Sequence, residues 1–203
     1  GVKMELGYFI DKSEFYFADD WDPSSGSGVG DASIECKYLL LKSISKRLSI
    51  IPSFGLKLPI GVFDQEKNNV KLPLTVQPSS GSYKYSLAIA IKKQLKNLKW
   101  HLGFLGSVEY AQLINSQNFY YKYGNSYRTL FLLSHTLNYK LSLGLQLKNE
   151  VRARSSREGD QIVESSGYFT SVIIPNISLS LFPDWVAFTN VELPVYRHYN
   201  GIQ

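Results

Sequence analysis

The sequence is poor in the residues that build covalent cross-links and metal sites. Cys36 is its only cysteine in 203 residues, which excludes an internal disulfide and any site made of several cysteines. Its three histidines, at 101, 135 and 198, form neither an HxH nor an HExxH pattern. The sequence therefore predicts no metal and no cofactor.

Long apolar runs are also missing. A transmembrane helix needs about 20 consecutive apolar residues, and no segment comes near that length. This excludes a helical membrane protein, but not a barrel, whose strands dilute the apolar signal by alternation. The net charge is +5, yet no arginine-rich patch or aromatic-basic module accompanies it, so nucleic acid is not a predicted partner.

What the sequence does have is regular alternation, clearest from Leu141 to Arg154. Leucine, valine or alanine takes every odd position except Asn149, and small, polar or charged residues take the even ones. Successive side chains of a strand point to opposite faces, so the segment predicts a strand with one apolar and one charged face. Its length covers the roughly 9–11 residues with which a tilted strand crosses a bilayer.

Similar alternation predicts ten strands in one domain that spans residues 1–203. They are Val2–Ile10, Phe15–Trp21, Asp31–Leu41, Leu48–Ile60, Tyr83–Lys92, Leu98–Tyr110, Tyr127–Leu137, Leu141–Arg154, Tyr168–Leu181 and Val186–Val195. The pattern leaves the facing of Tyr127–Leu137 open, because Leu130 to Leu133 form a continuous apolar run.

The connections between these strands alternate in length. Short ones lie near 11–14, 43–46, 94–97, 138–140 and 183–185, and long ones near 22–30, 62–82, 114–126 and 155–167. Outer-membrane barrels have short periplasmic turns and long outer loops. The fold class predicted is an all-β, antiparallel, up-and-down transmembrane β-barrel in the outer membrane of a Gram-negative bacterium, surrounded by lipid or lipopolysaccharide. Period two alone also fits a soluble barrel or sandwich; strand length and loop asymmetry favour the membrane.

The predicted turn at Asp11–Glu14 places the start of the first strand on the outer rim, and the last strand also ends there. Bacterial single-chain barrels have even strand numbers, and their termini are expected in the periplasm. We therefore expect the complete chain to have twelve strands and to extend beyond Gly1 and Gln203.

Charged side chains on the faces opposite the apolar ones are the candidate site, as residues that line the lumen. They are Lys84, Lys99, His101, Glu109, Lys148, Glu150, Arg152, Arg154 and Glu192. One interpretation is a structural network in which the charges pair and fill the barrel. The other is a constriction that selects solutes by charge and size.

Two further candidate sites are the Ser134–His135 pair and Cys36. Ser134 next to His135 is similar to part of the triad of barrel lipid hydrolases, but neighbours on a strand point to opposite faces and cannot pair directly. The sequence therefore predicts no catalytic site and no enzyme. Cys36 is expected on the apolar face as a small inert side chain.

Five short segments, in this order, resemble the outer-membrane β-barrel family known as "MetA-pathway of phenol degradation". They are GVGD at Gly28–Asp31, KLPIG at Lys57–Gly61, QPSSGS at Gln77–Ser82, SSGYFTSVIIPNISLSL at Ser165–Leu181 and LPVYRHYNGIQ at Leu193–Gln203. Ser79 after Pro78 departs from the family's usual Pro-Gly-x-Gly-Ser, and the family usually continues into one more strand after Gln203.

The resemblance implies an outer-membrane channel, presumed to pass aromatic or other hydrophobic small molecules. The leading hypothesis is therefore a passive, porin-like transport protein. The alternative is a non-transporting barrel that serves as a subunit or scaffold in a larger complex with other outer-membrane proteins.

Overall fold

The computed structural model describes residues 1–14, 24–95, 99–116, 119–158, 161–182 and 185–201. In chain order the strands are β1 (Val2–Glu14), β2 (Ser24–Lys37), β3 (Leu41–Ser43), β4 (Leu48–Leu58), β5 (Glu66–Lys67), β6 (Val70–Lys71), β7 (Lys84–Gln94), β8 (Trp100–Ala111), β9 (Ile114–Ser116), β10 (Phe119–Lys122), β11 (Ser126–Thr136), β12 (Leu141–Arg152), β13 (Ser156–Arg157), β14 (Gln161–Ile162), β15 (Tyr168–Phe182), β16 (Trp185–Asn190) and β17 (Leu193–Tyr199). Within these ranges no helix is long and apolar enough to cross a membrane.

Eleven strands form one antiparallel sheet. Two pairs of strands lie end to end, so the sheet has nine positions across its width, which we call lanes. The lanes follow the chain in the order β1, β2, β4, β7, β8, β11, β12, β15 and β16. β3 continues the lane of β2 alongside β4, and β16 and β17 share one lane beside β15. Each lane pairs with the next one along the chain, which is the up-and-down arrangement that the alternating turns predict.

The strand register gives the sheet an apolar and a polar face. Leu133 pairs with Leu102 and Leu145, and these leucines share the apolar face. One residue earlier, Leu132 pairs with Gly103 and Gln146 on the polar face. The register thus settles the facing of β11, with its odd-numbered residues on the apolar face and its even-numbered ones on the polar face.

The first predicted turn is wrong. β1 continues through Asp11–Glu14 and pairs with β2 as far as Glu14 opposite Ser24. A register shift between Phe9 and Lys12 accommodates these polar residues, so they end a long strand instead of interrupting it. The strand predicted at Phe15–Trp21 lies outside the described residues, and the other nine predicted strands correspond to the nine lanes.

The direction of β1 is consequently opposite to the one expected. Val2 pairs with Cys36 near the end of β2. Strand pairing across the sheet places this end of β2 on the same rim as the short turn 137–140, which follows β11. The first strand therefore starts on the short-turn rim and not on the outer rim, whereas β17 ends on the long-loop rim, as expected. This direction removes the reason for expecting an additional strand before Gly1, whereas an additional strand after Gln203 stays a prediction.

The long connections carry small sheets of their own. β5 and β6 form a hairpin within the β4–β7 connection, and β9, β10, β13 and β14 form a four-stranded sheet from two neighbouring long loops. The most buried side chains of the described chain include Val76, Gln77, Ser79, Ser82 and Ser126. Four of these five belong to the β4–β7 connection, so the packed core sits at the long-loop rim and not between two sheets, as a sandwich would require.

Candidate functional site

Two neighbouring rows of the polar face bring charged residues from four lanes together. One row runs Ser107, Arg128, Glu150, Thr170 and Arg197 across β8, β11, β12, β15 and β17. The next row, toward the long loops, runs Glu109, Ser126, Arg152, Tyr168 and Tyr199. The antiparallel register alone fixes both rows.

Within these rows Glu150 is held from two sides. The Nε atom of Arg128 lies 3.2 Å from its Oε1 atom, and the hydroxyl of Tyr168 donates a hydrogen bond of 2.7 Å to the same oxygen. Arg152 donates from Nε to the Oγ atom of Ser126 at 3.3 Å, and its guanidinium lies 5.5 Å from the centre of the Tyr168 ring. We call Arg128, Glu150, Arg152 and Tyr168 the arginine cluster; it has two guanidinium groups and one carboxylate.

The other predicted residues are spread along the polar face and its rims. In the strand register, Lys84 on β7 pairs with Ala111 on β8, and His101 and Glu109 on β8 pair with Ser134 and Ser126 on β11. Lys148 on β12 pairs with Leu130 on β11. Lys99 is exposed just before β8, and Glu192 is exposed in the break between β16 and β17. Arg154 lies beyond the end of β12, where its Nη2 atom donates to the Oδ1 atom of Asn200 at 3.4 Å. Only Glu150 and Arg152 belong to the arginine cluster.

An apolar patch on the polar face was missed by the sequence analysis. Leu105 on β8 pairs with Leu130 on β11, and Leu132 lies two residues further along β11. Val172 and Ile174 lie on β15, which is separated from β11 by β12. We call these five residues the interior patch. Arg128 and Ser134 have the same parity as Leu130 and Leu132, which is the signal that could have fixed the facing of this strand.

A cavity joins the interior patch to the charged rows. Its volume is about 370 Å³, and Leu105, Ala88, Ala90, Glu109 and Arg128 contribute to its wall. The wall thus combines aliphatic and charged side chains. A molecule that has an apolar body and a polar end would find partners for both parts.

The β4–β7 connection is tied down on the polar face of β2. The Asp31 carboxylate accepts hydrogen bonds from the Ser79 hydroxyl at 2.6 Å, the Ser80 hydroxyl at 2.7 Å and the Ser80 backbone N–H at 3.0 Å. Gln77 has no exposed surface, and its side chain exchanges hydrogen bonds with the backbone of Gln65. These contacts fix residues 61–82, which we call the inner loop.

Two glycines allow the inner loop to lie close to β2. A Cβ atom on Gly26 would stand 2.4 Å from the carbonyl oxygen of Val76, and one on Gly61 would stand 1.8 Å from that of Val29. Neither distance is possible for a real side chain, so glycine is required at both positions. The segments GVGD, KLPIG and QPSSGS, on which the resemblance depends, thus meet in one place.

Tyr123, from the next long loop, covers the end of the inner loop. Its hydroxyl donates to the carbonyl oxygen of Ser80 at 3.1 Å, and the ammonium group of Lys84 lies 4.6 Å from its ring centre. Burial raises the pKa of the Tyr123 hydroxyl above its usual value. The phenol therefore stays protonated and keeps donating this hydrogen bond at any physiological pH.

The last two segments of the resemblance meet at a second place on the long-loop rim. The Ser166 hydroxyl accepts a hydrogen bond from the backbone N–H of Ser155 at 2.8 Å. Asn200 donates from its side chain to the Ser166 carbonyl and from its backbone to the Gly167 carbonyl, both at 3.2 Å. These bonds join the end of β17 to the loop before β15.

The structure places Ser134 and His135 on opposite faces, as predicted. His135 lies on the apolar face, where its ring centre is 4.2 Å from that of Trp100, while Ser134 pairs with His101 on the polar face. In the described ranges no three histidine, cysteine, aspartate or glutamate side chains are grouped in a way that could hold a metal ion.

Comparison with solved structures identifies the fold. The crystal structure of an outer membrane channel from Pseudomonas putida F1 matches with a TM-score of 0.68 at 13% identity, over 87% of this chain and 63% of that chain. The chain thus spans less than two thirds of that channel's length. At this identity the match shows the fold, and it confirms the predicted antiparallel transmembrane β-barrel.

Comparison with curated proteins gave no match. In the barrel the apolar face meets lipid and the polar face encloses the interior, and the bacterial outer membrane is where this protein resides. The model of the family described as "Putative MetA-pathway of phenol degradation" matches residues 4–181, most of the 203 residues, and the chain belongs to that family.

Proposed function

We propose that this protein is a passive outer-membrane channel for small molecules that have substantial apolar surface, including aromatic ones. The observation that carries the proposal is the interior patch. A barrel interior that only had to hold water would gain nothing from leucines, because apolar surface in contact with water is unfavourable by about 25 cal/mol per Å². An apolar solute that slides past the patch removes that surface from water.

The solved channel from Pseudomonas putida F1 supports the proposal at the level of the fold. The position of the patch supports it further. It adjoins the cavity of about 370 Å³ beside Arg128 and Glu109, within the roughly 300–1,000 Å³ that is common for small-molecule sites. The channel acts as a passive conduit and not as an enzyme.

Liposome swelling with the full-length protein tests the proposal. Phenyl β-glucoside and glucose share a sugar but differ in the phenyl ring, so the ratio of their permeation rates reports what the ring contributes. We expect the larger glucoside to pass faster than its size alone allows, and Leu132→Ser to lower the ratio. Ser49→Ala, on the polar face at the short-turn end of β4, is the control. A ratio unchanged in Leu132→Ser would contradict a role for the patch.

The inner loop favours the alternative function, a barrel that serves as a scaffold for other outer-membrane proteins. It occupies the polar face of β2 with Val76, Gln77 and Ser79 almost fully buried. A barrel closed in this way at the rim would pass no solute. Planar bilayers separate the two functions, since a scaffold gives no single-channel conductance in either the wild type or an Asp31→Asn variant.

A further inference from the structure

We propose that the interior contains a carboxylate-binding subsite centred on Arg128, so that the solutes include organic acids with an apolar body. This inference rests on the proposed channel for its biological meaning. It adds a chemical class, the carboxylates, to a channel otherwise defined by apolar contacts. It also assigns a role to Arg128, a residue that the sequence analysis left without one.

The arginine cluster is arranged to bind a further anion. Its two guanidinium groups face one carboxylate, and Arg197 adds a third cation in the row of Arg128. Arg128 keeps 45% of its side chain exposed, whereas Glu150 keeps only 15%. The cluster thus presents accessible positive charge, while its one carboxylate is already occupied by Arg128 and Tyr168.

The guanidinium groups are also oriented in advance. Contacts through Nε, from Arg128 to Glu150 and from Arg152 to Ser126, hold both side chains against the sheet. The planar fork of an arginine binds a carboxylate through two parallel hydrogen bonds. A guanidinium that is already positioned loses less side-chain entropy when it binds a ligand.

The cavity beside Arg128 determines the rest of the ligand. Its wall includes Ala88, Ala90 and Leu105 next to Arg128, so an acid held at Arg128 can lay its hydrocarbon part on aliphatic side chains. The other charged side chains of the wall are Glu35, Glu109, Lys37 and Lys92; two of each sign leave Arg128 as the excess charge.

Calorimetry on the full-length protein in detergent tests the subsite without requiring conduction. Benzoate and benzyl alcohol share a ring and differ in the carboxylate. We expect benzoate to bind more tightly, and Arg128→Gln to weaken benzoate roughly tenfold or more, about 1.4 kcal/mol, with little effect on benzyl alcohol. Arg128→Lys keeps the charge but loses the fork and should fall between the two.

Lys57→Gln is the matched control, because it removes one positive charge from the polar face on β4, outside the arginine cluster. Equal weakening by Lys57→Gln and Arg128→Gln would show general electrostatic attraction and overturn the subsite. Inorganic phosphate that displaces benzoate at equal concentration would overturn the carboxylate class. Single-channel conductance without benzoate binding would overturn the subsite but leave the channel; benzoate binding without conductance would do the reverse.

Discussion

At the scale of single residues, the side-chain period of two decides which substitutions the barrel tolerates. Leu145 is 49% exposed on the apolar face, between Leu133 and Pro175. Its neighbour Gln146 lies on the polar face, between Leu132 and Ile174. Adjacent residues of β12 therefore meet lipid and barrel interior, and they should respond oppositely to a charge.

Leu145→Arg is expected to cost about 2–4 kcal/mol of folding free energy in a bilayer, because a cation near the midplane loses its hydration. Gln146→Leu should cost much less, since its neighbours across the strands already include Leu132 and Ile174. Urea titration of both variants in lipid vesicles measures the difference. If Leu145→Arg folds as well as wild type and Gln146→Leu does not, the facing of β12 is inverted.

The facing of β12 could be predicted from the sequence because its alternation is almost uninterrupted. That of β11 could not be predicted from its apolar residues, because Leu130 and Leu132 serve the interior while Phe131 and Leu133 serve the lipid side. Hydrophobicity does not distinguish these two environments. The interior patch was missed for the same reason, and with it the part of the candidate site that is apolar.

At the scale of elements, the inner loop depends on one carboxylate. Asp31→Asn keeps the size of the side chain but weakens three hydrogen bonds to Ser79 and Ser80. Bonds to charged groups contribute roughly 1.5–3 kcal/mol each, so we expect the loop to detach locally. Amide exchange at residues 79–82, followed by mass spectrometry, should accelerate about tenfold or more.

Asp64→Asn provides the control for this variant, because Asp64 is exposed in the same loop and its loss removes the same charge. Equal exchange rates in the two variants would mean that Asp31 does not hold the loop. The sheet itself should stay folded in both variants, which is checked by comparing the gel mobility of heated and unheated samples.

Gly61 gives a second prediction at this scale. Gly61→Ala places a methyl group against the carbonyl of Val29 and forces the start of the inner loop away from β2. Overpacking of this kind typically costs about 1–3 kcal/mol. Gly7→Ala is the comparison, because its Cβ would meet the Phe9 ring at an ordinary 3.7 Å. Denaturant unfolding that is equally affected in both variants would contradict a close loop-to-strand contact.

Elements were predictable where alternation was continuous, and not where polar residues end a long strand. The polar residues from Asp11 to Glu14 predict a turn. In the structure, however, Lys12 lies on the polar face and its ammonium group donates a hydrogen bond to the Gln77 carbonyl at 2.8 Å. That contact joins residues 65 positions apart. No local pattern reports such a partner, so the sequence misplaced the direction of the first strand.

At the scale of the whole molecule, the charge of the interior should determine ion selectivity. The net charge of +5 and the arginine cluster favour anions. Arg152→Gln should shift the reversal potential in a salt gradient toward cations. Arg154→Gln should shift it less, because Arg154 lies beyond the strand and binds Asn200 at the rim, where salt screens charges more effectively.

This prediction uses planar bilayers with a tenfold salt gradient, and wild-type protein is the reference. A larger shift for Arg154→Gln than for Arg152→Gln would place the selective region at the rim and not in the arginine cluster. Equal selectivity in all three proteins would remove these arginines from the solute path.

The inner loop also makes the barrel one-sided. Among the described residues, residues 61–82 cover the wall formed by β2, whereas the arginine cluster and the interior patch lie across β8, β11, β12 and β15. In the proposed channel, a passing solute is therefore expected to travel along one wall, off the barrel axis. At the long-loop rim such a molecule would have the barrel wall on one flank and the inner loop on the other, so we expect its orientation to be constrained there and flat molecules to pass more readily than round ones of equal volume.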